Sequence, residues 1–205
     1  MRSSKLNIVC PLRNTDFNKD CDLAELYLKK KVIKLTEKKS DVRGCDVTLK
    51  ILDYCNKNEG KFLYINDDFI IDNVPKEPIY KGKLADNTNY NNLYRLATIN
   101  TIEFLESENK PIKNFETHTP IIIDCKLFRE LFNQLDFGNH NHFMKSIYLN
   151  WYEIEGIEGE NVKLKDWSIQ KAEYYFKKYG CISLSDNTPN SAYIYLRNRL
   201  TTPQP

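Results

Sequence analysis

The segment Lys61-Phe-Leu-Tyr-Ile-Asn-Asp-Asp-Phe-Ile-Ile-Asp72 constrains this chain more than any other. An apolar run rich in Phe, Tyr and Ile has the composition of an interior strand of an α/β sheet, buried on both faces. It runs directly into Asn66, Asp67 and Asp68. Open α/β sheets bind their ligands at the carboxyl ends of the strands, so these oxygens stand where a ligand is expected. Two ionised carboxylates side by side repel, and a cation or a shared proton relieves the repulsion. Oxygen ligands suit Mg²⁺ or Mn²⁺, commonly bridged to substrate phosphates. One reading of the segment is therefore a divalent metal holding a nucleotide diphosphate; the other is a solvated turn after an ordinary strand. Side chains two apart on a strand share a face. A strand persisting through Asp68 sets Asn66 and Asp68 beside the nucleotide and turns Asp67 away. A turn beginning at Asp67 lets both carboxylates reach one metal. Asp68 is the expected ligand, with Asp67 orienting ribose or a metal-bound water.

The flanking sequence alternates in kind. Leu6 to Leu12 reads as a strand, Asp20 to Lys30 as a helix and Val32 to Leu35 as a short strand. A helix capped by Ser40 or Asp41 carries Val47, Leu49, Ile51, Leu52 and Cys55, and Asn58-Glu-Gly60 ends it. Such alternation predicts an α/β fold, a mostly parallel sheet flanked by helices. Asp72 to Asn92, with Pro75, Pro78 and Gly82, reads as a long loop or lid. A helix from Asn92 to Ser107 presents Leu93, Leu96, Ile99, Ile102 and Leu105 on one face. A short strand then ends at Asp124 and a helix passes through Phe128, Leu131 and Leu135. Beyond an acidic loop from Gly156 to Glu160, a helix from Ser168 to Lys178 leads into a closing strand, Cys181 to Asp186.

At 205 residues the chain suits one domain over 1–200 with a frayed tail at 201–205. No run approaches the ~20 apolar residues that span a bilayer, and the start lacks a signal peptide's apolar core, which points to a cytoplasmic protein. A net charge of +2 supplies no basic footprint for nucleic acid. The six cysteines include no Cys-x-x-Cys pair, so reduced thiols are expected rather than zinc or disulfides.

His118 lies in a polar loop, Glu116-Thr-His-Thr-Pro120, ahead of an apolar strand. There it is either a structural histidine or a metal ligand, general base or phosphate contact. Arg13, Arg43 and Lys50 are the basic groups nearest the expected carboxyl edge of the sheet, and Arg43 can steady a diphosphate by paired hydrogen bonds. His140 and His142, near Asp136, lack an evident third ligand and read as a loop. Neither a Gly-x-Gly-x-x-Gly nor a Walker loop occurs, which excludes nucleotide binding by those routes. A Gly-x-Ser-x-Gly elbow is missing too.

Taken in order, these motifs resemble the Stealth family of sugar-phosphate transferases. Ile8-Val-Cys-Pro-Leu-Arg-Asn-Thr-Asp16 is similar to a degenerate form of that family's opening motif. Phe62-Leu-Tyr-Ile-Asn-Asp-Asp-Phe69 resembles its second region, and the helix with Asn100 followed by Glu116-Thr-His-Thr-Pro120 its third. Ile182-Ser-Leu-Ser-Asp186 resembles a worn fourth. The resemblance implies a glycosyltransferase-A-like, Rossmann-type fold and a nucleotide-sugar donor. It gives Asp67 and Asp68 the metal-diphosphate role, His118 a catalytic or phosphate-contacting one, and Asp16 a place near the donor. Arg13, Arg43 and Asn66 join the expected donor site from the reading of the residues themselves, not from the resemblance. The chain departs from the pattern in lacking the opening tryptophan and acidic cluster, and in a short segment before the carboxylate strand.

The expected function is a metal-dependent transferase, using Mn²⁺ or Mg²⁺, that moves a sugar or a sugar 1-phosphate from a nucleotide sugar to a hydroxyl acceptor. A glycan is the favoured acceptor and glycosyl transfer the favoured chemistry. The rivals are a non-catalytic glycan- or nucleotide-binding module on a shortened transferase fold, and a nucleic-acid-modifying transferase.

Overall fold

A computed structural model describes residues 6–12, 18–86, 92–135 and 141–201, the side chains of 18–20, 43 and 201 excepted. Within them an α/β fold is built on a four-stranded sheet in the order β2-β1-β3-β6. Its strands are β1 (Asn7–Pro11), β2 (Ile33–Leu35), β3 (Lys61–Tyr64) and β6 (Ile121–Asp124). β1 runs parallel to β2 and to β3, through the crossover helices α1 (Asn18–Leu28) and α2 (Arg43–Lys57), as the alternating sequence requires. β6 pairs antiparallel with β3, Tyr64 opposite Ile121. That reversal brings the loop before β6 to the edge where β1 and β3 end.

Strand alternation divides the core. Ile8, Cys10 and Leu63 face one apolar layer; Val9, Phe62, Tyr64 and Ile123 face the other. The second layer is covered by α2, α4 (Cys125–Phe132) and α5 (Met144–Trp151). The first is covered by α1, by α6 (Ile169–Tyr179) and α7 (Asn190–Thr201), and by a three-stranded sheet. In that sheet β9 (Cys181–Leu184) lies between β4 (Phe69–Ile71), which it meets antiparallel, and β8 (Lys163–Leu164), which it meets parallel.

The carboxylate segment is thus two strands rather than one. The chain leaves the first sheet after Tyr64, turns at Asp67 and Asp68, and enters the second sheet at Phe69. Burial makes the apolar run look continuous, because Phe62 to Ile65 and Phe69 to Ile71 are all buried although they belong to different sheets.

Three further expectations are corrected. The helix α2 has Val42 at its N-cap, with no side-chain cap bond, instead of Ser40 or Asp41. Asp46, inside its first turn, instead accepts the backbone N–H groups of Lys39 and Ser40 at 2.6 and 3.2 Å. On α3 (Asn92–Ser107) the buried face is Ala97, Thr98, Thr101 and Leu105, while Leu93 and Leu96 are exposed. Small residues let this helix approach its neighbours closely, and apolar spacing alone does not show that. The segment read as a lid is tied down over most of its length. Asp72 and Asn73 N–H donate to the Gly180 carbonyl at 2.8 and 2.9 Å. Gly180 caps α6 at a φ of +72°, where a Cβ would lie 2.2 Å from the Asn73 carbonyl oxygen. Further on, Ile79 and Leu84 are buried, and β5 (Ile79–Tyr80) pairs parallel with β7 (Ile157–Glu158).

Buried phenols give the fold an alkaline limit. Burial pushes Tyr148 from its usual value of 10.0 up to about 12, and Tyr27 likewise to about 12. The Tyr148 hydroxyl accepts the Asp124 N–H at 3.0 Å, and the Tyr27 hydroxyl donates to the Leu196 carbonyl at 2.8 Å. A raised folded-state value means the stabilisation is complete below pH 10 and is lost as pH climbs toward 12, where the unfolded chain ionises first. Urea unfolding midpoints should therefore fall steeply across that window. Tyr148→Phe should cost ~1 kcal/mol at neutral pH through the lost acceptor, yet flatten the alkaline fall. An unchanged alkaline slope in that variant would contradict the assignment.

Candidate functional site

Asp67 and Asp68 sit in the turn at the carboxyl end of β3, both almost fully buried. Asp68 is bonded from two directions. Its Oδ2 accepts the Ser183 hydroxyl at 3.0 Å and the Lys163 ammonium at 3.2 Å. Its backbone carbonyl accepts the Leu184 N–H at 2.8 Å. Lys163 and Phe69 flank Ser183 on opposite sides of β9, so strand register alone delivers these groups to the carboxylate. Asn66 accepts a hydrogen bond from the Tyr64 hydroxyl. Burial first, and then the charges of Glu116, Asp67 and Asp68 among others, hold the Tyr64 phenol well above its ordinary value. Burial, its bond with Cys21 and the same two aspartates raise the Cys10 thiol. Both carboxylates are therefore close enough to act on the ends of β1 and β3.

His118 reaches this edge from the other side, in the loop before β6. Its φ of +56° is left-handed, a conformation histidine tolerates better than branched residues do. Its neighbours fix the loop. Thr117 Oγ donates to the Ile79 carbonyl at 2.8 Å, and the Thr117 carbonyl accepts the Val162 N–H at 3.0 Å. His118 Nδ1 lies 3.0 Å from Asn161 Oδ1. That oxygen also accepts the Lys163 N–H at 3.0 Å, which identifies it as the carbonyl end of the amide. Nδ1 must then carry the proton, so in the neutral imidazole Nε2 holds the lone pair. Asn161 thus orients His118 and Lys163 together.

A second lysine lies beneath. Lys145, at the start of α5, is 4% exposed, and its Nζ donates to the Thr119 carbonyl at 3.2 Å. Burial lowers its pKa, and Glu116 and Asp68 oppose that. Glu116 is held by the Ser146 N–H and hydroxyl at 3.2 and 3.0 Å.

The structure thus brings Asp67, Asp68, Asn66 and His118 to one sheet edge. Arg13 and Asp16 lie outside the described residues, as do His140 and Asp136. Arg43 opens α2, but its side chain is not among those described. Lys50 is committed elsewhere: it is buried, donates to the Leu12 carbonyl and pairs with Asp46, both at 2.8 Å. Lys163, Asn161 and Lys145 carry no sequence signal, while Glu116 and Ser183 stand in the motifs at 116–120 and 182–186 without a role assigned to them. Two cavities of about 300 and 310 Å³ flank Val74 to Glu77, and neither is lined by Asp67, Asp68 or His118.

The donor set is two adjacent carboxylates and an amide, all hard oxygen. Among the described residues no three His, Cys, Asp or Glu side chains come together as a metal cage. Mg²⁺-type cations usually take one or two carboxylates and complete their shell with water and substrate phosphates, so this set fits a shared cation rather than a permanently caged one. Among the described residues no helix is long and apolar enough to cross a membrane.

His118 in a ¹H–¹⁵N correlation spectrum should show the Nδ1–H tautomer. Asn161→Ala should mix the two tautomers and lower stability by ~1–3 kcal/mol, because the His118 and Lys163 N–H groups lose their acceptor. A native Nε2–H tautomer would overturn this geometry.

No protein-family model matches the chain, and neither does any curated protein. Among solved structures it is similar to the crystal structure of a glycosyltransferase involved in the glycosylation of the major capsid of PBCV-1. The two share 11% identity over 87% of this chain and 93% of that one, with a TM-score of 0.45, a likeness too loose to carry over any residue's role.

Proposed function

We propose that this chain is a nucleotide-sugar-dependent glycosyltransferase whose donor diphosphate is held at Asp67 and Asp68. The observation that carries the reading is the meeting, at one sheet edge, of an Asp-Asp turn from β3 with a tautomer-fixed histidine from the loop before β6. The ordered motifs resembling the Stealth regions support the donor class.

Asp67 and Asp68 would hold Mg²⁺ or Mn²⁺ with the diphosphate oxygens; the cation, when bound, neutralises the charge that develops on the leaving phosphate. His118 takes the acceptor hydroxyl's proton at Nε2 while Asn161 keeps Nδ1–H in place. The acceptor oxygen bonds to the sugar's anomeric carbon as the bond from that carbon to phosphate oxygen breaks, and the nucleoside diphosphate leaves. Sugar 1-phosphate transfer would instead break the pyrophosphate bond and release a nucleoside monophosphate.

Calorimetric titration with UDP- and GDP-sugars, with and without Mn²⁺, tests the donor site. Manganese-dependent binding that Asp68→Asn abolishes is expected; no binding of any sugar nucleotide by the native chain would sink the reading. With a donor and acceptor in hand, His118→Gln should bind donor normally and lose ~10²–10⁴-fold in kcat. Unchanged turnover would remove His118 as the base.

A further inference from the structure

We propose that Lys163 is a resident counter-ion that keeps a lone cation off Asp68, so that a divalent metal and a diphosphate bind only together. The inference rests on the donor-site reading above and adds how that site is controlled.

The lysine already occupies the carboxylate a metal would need. Its ammonium stands 3.2 Å from Asp68 Oδ2, and its side chain is 25% exposed against 5% for the aspartate. A cation arriving from solvent meets the ammonium before it meets the carboxylate. Entering alone, the cation must expel a like charge and leave it without an anion, and the described side chains give it too few ligands in return.

A diphosphate changes that balance. Its oxygens complete the metal's shell, and they also give the displaced ammonium a new partner. Lys163 is built to make such a move. Its backbone is fixed through Asn161 Oδ1 and by pairing with β9, whereas four flexible carbons carry its charge. Ser183 stays bonded to Oδ2 when the ammonium leaves, so the carboxylate keeps its orientation. Lys145 cannot substitute, because it is buried and anchored on the Thr119 carbonyl.

Mn²⁺ binding followed by electron paramagnetic resonance, with and without UDP or GDP, tests the proposal without any need for turnover. The native chain should bind Mn²⁺ appreciably only when a diphosphate is present. Lys163→Met should bind Mn²⁺ alone about tenfold tighter than the native chain, and bind the diphosphate about tenfold more weakly. Lys163→Arg, which keeps the charge, should still exclude the lone cation. Lys163→Gln serves if the Met variant does not fold, since it keeps a donor for Asp68 without the charge. Equal affinity for lone Mn²⁺ in the native and charge-free chains would overturn the role of Lys163 and leave the donor site standing. Failure of every chain to bind Mn²⁺ even with UDP or GDP would overturn the donor-site reading, and this inference with it.

Discussion

Asp68 is where the two sheets are joined, and the rest of the site follows from how its charge is satisfied. β3 belongs to the first sheet and β4 to the second, and the turn between them must pass a carboxylate into the interior. An isolated buried carboxylate would cost several kcal/mol or take up a proton. Here the Ser183 hydroxyl and the Lys163 ammonium meet it, and its own carbonyl closes onto Leu184. The same contacts that make the turn foldable align β4, β9 and β8. Removing one partner therefore acts on sheet register as well as on charge.

The neighbouring charges are buried or half-buried. Asp68 pairs with Lys163, Glu116 and Asp68 act on Lys145, and Lys145 is held by a carbonyl in surroundings that disfavour its charge. Asn161 couples the arrangement to His118, since one amide oxygen takes both the imidazole N–H and the Lys163 backbone. A change at the carboxylate edge is thus one hydrogen-bonded residue away from the proposed base.

Local sequence was legible wherever burial was one-sided and regular. The order of strands and helices through β3 follows from alternation alone, and so does the arrival of Asp67 and Asp68 at a strand's carboxyl end. Legibility failed where tertiary context decided. The run from Lys61 to Asp72 hides a sheet change because both of its halves are interior. The direction of β6, which brings His118 to the edge, is set by pairing with β3 and leaves no local trace. Helix α7 buries only Ala192 and Leu196 fully among its larger apolar positions. Beside Leu196, Tyr193 and Tyr195 it docks through Arg199, paired with Asp72 and Glu173 at 3.1 and 2.7 Å, and ion pairs leave no apolar pattern to read. Lys163 was invisible because its partner lies 95 positions away.

The most direct test is a crystal grown with Mn²⁺ and UDP and measured at the manganese absorption edge. The account predicts an anomalous peak about 2.2 Å from a carboxylate oxygen of Asp67 or Asp68, with the Lys163 ammonium moved from Asp68 onto a phosphate oxygen. UDP bound elsewhere, with the Lys163–Asp68 pair intact, would contradict it.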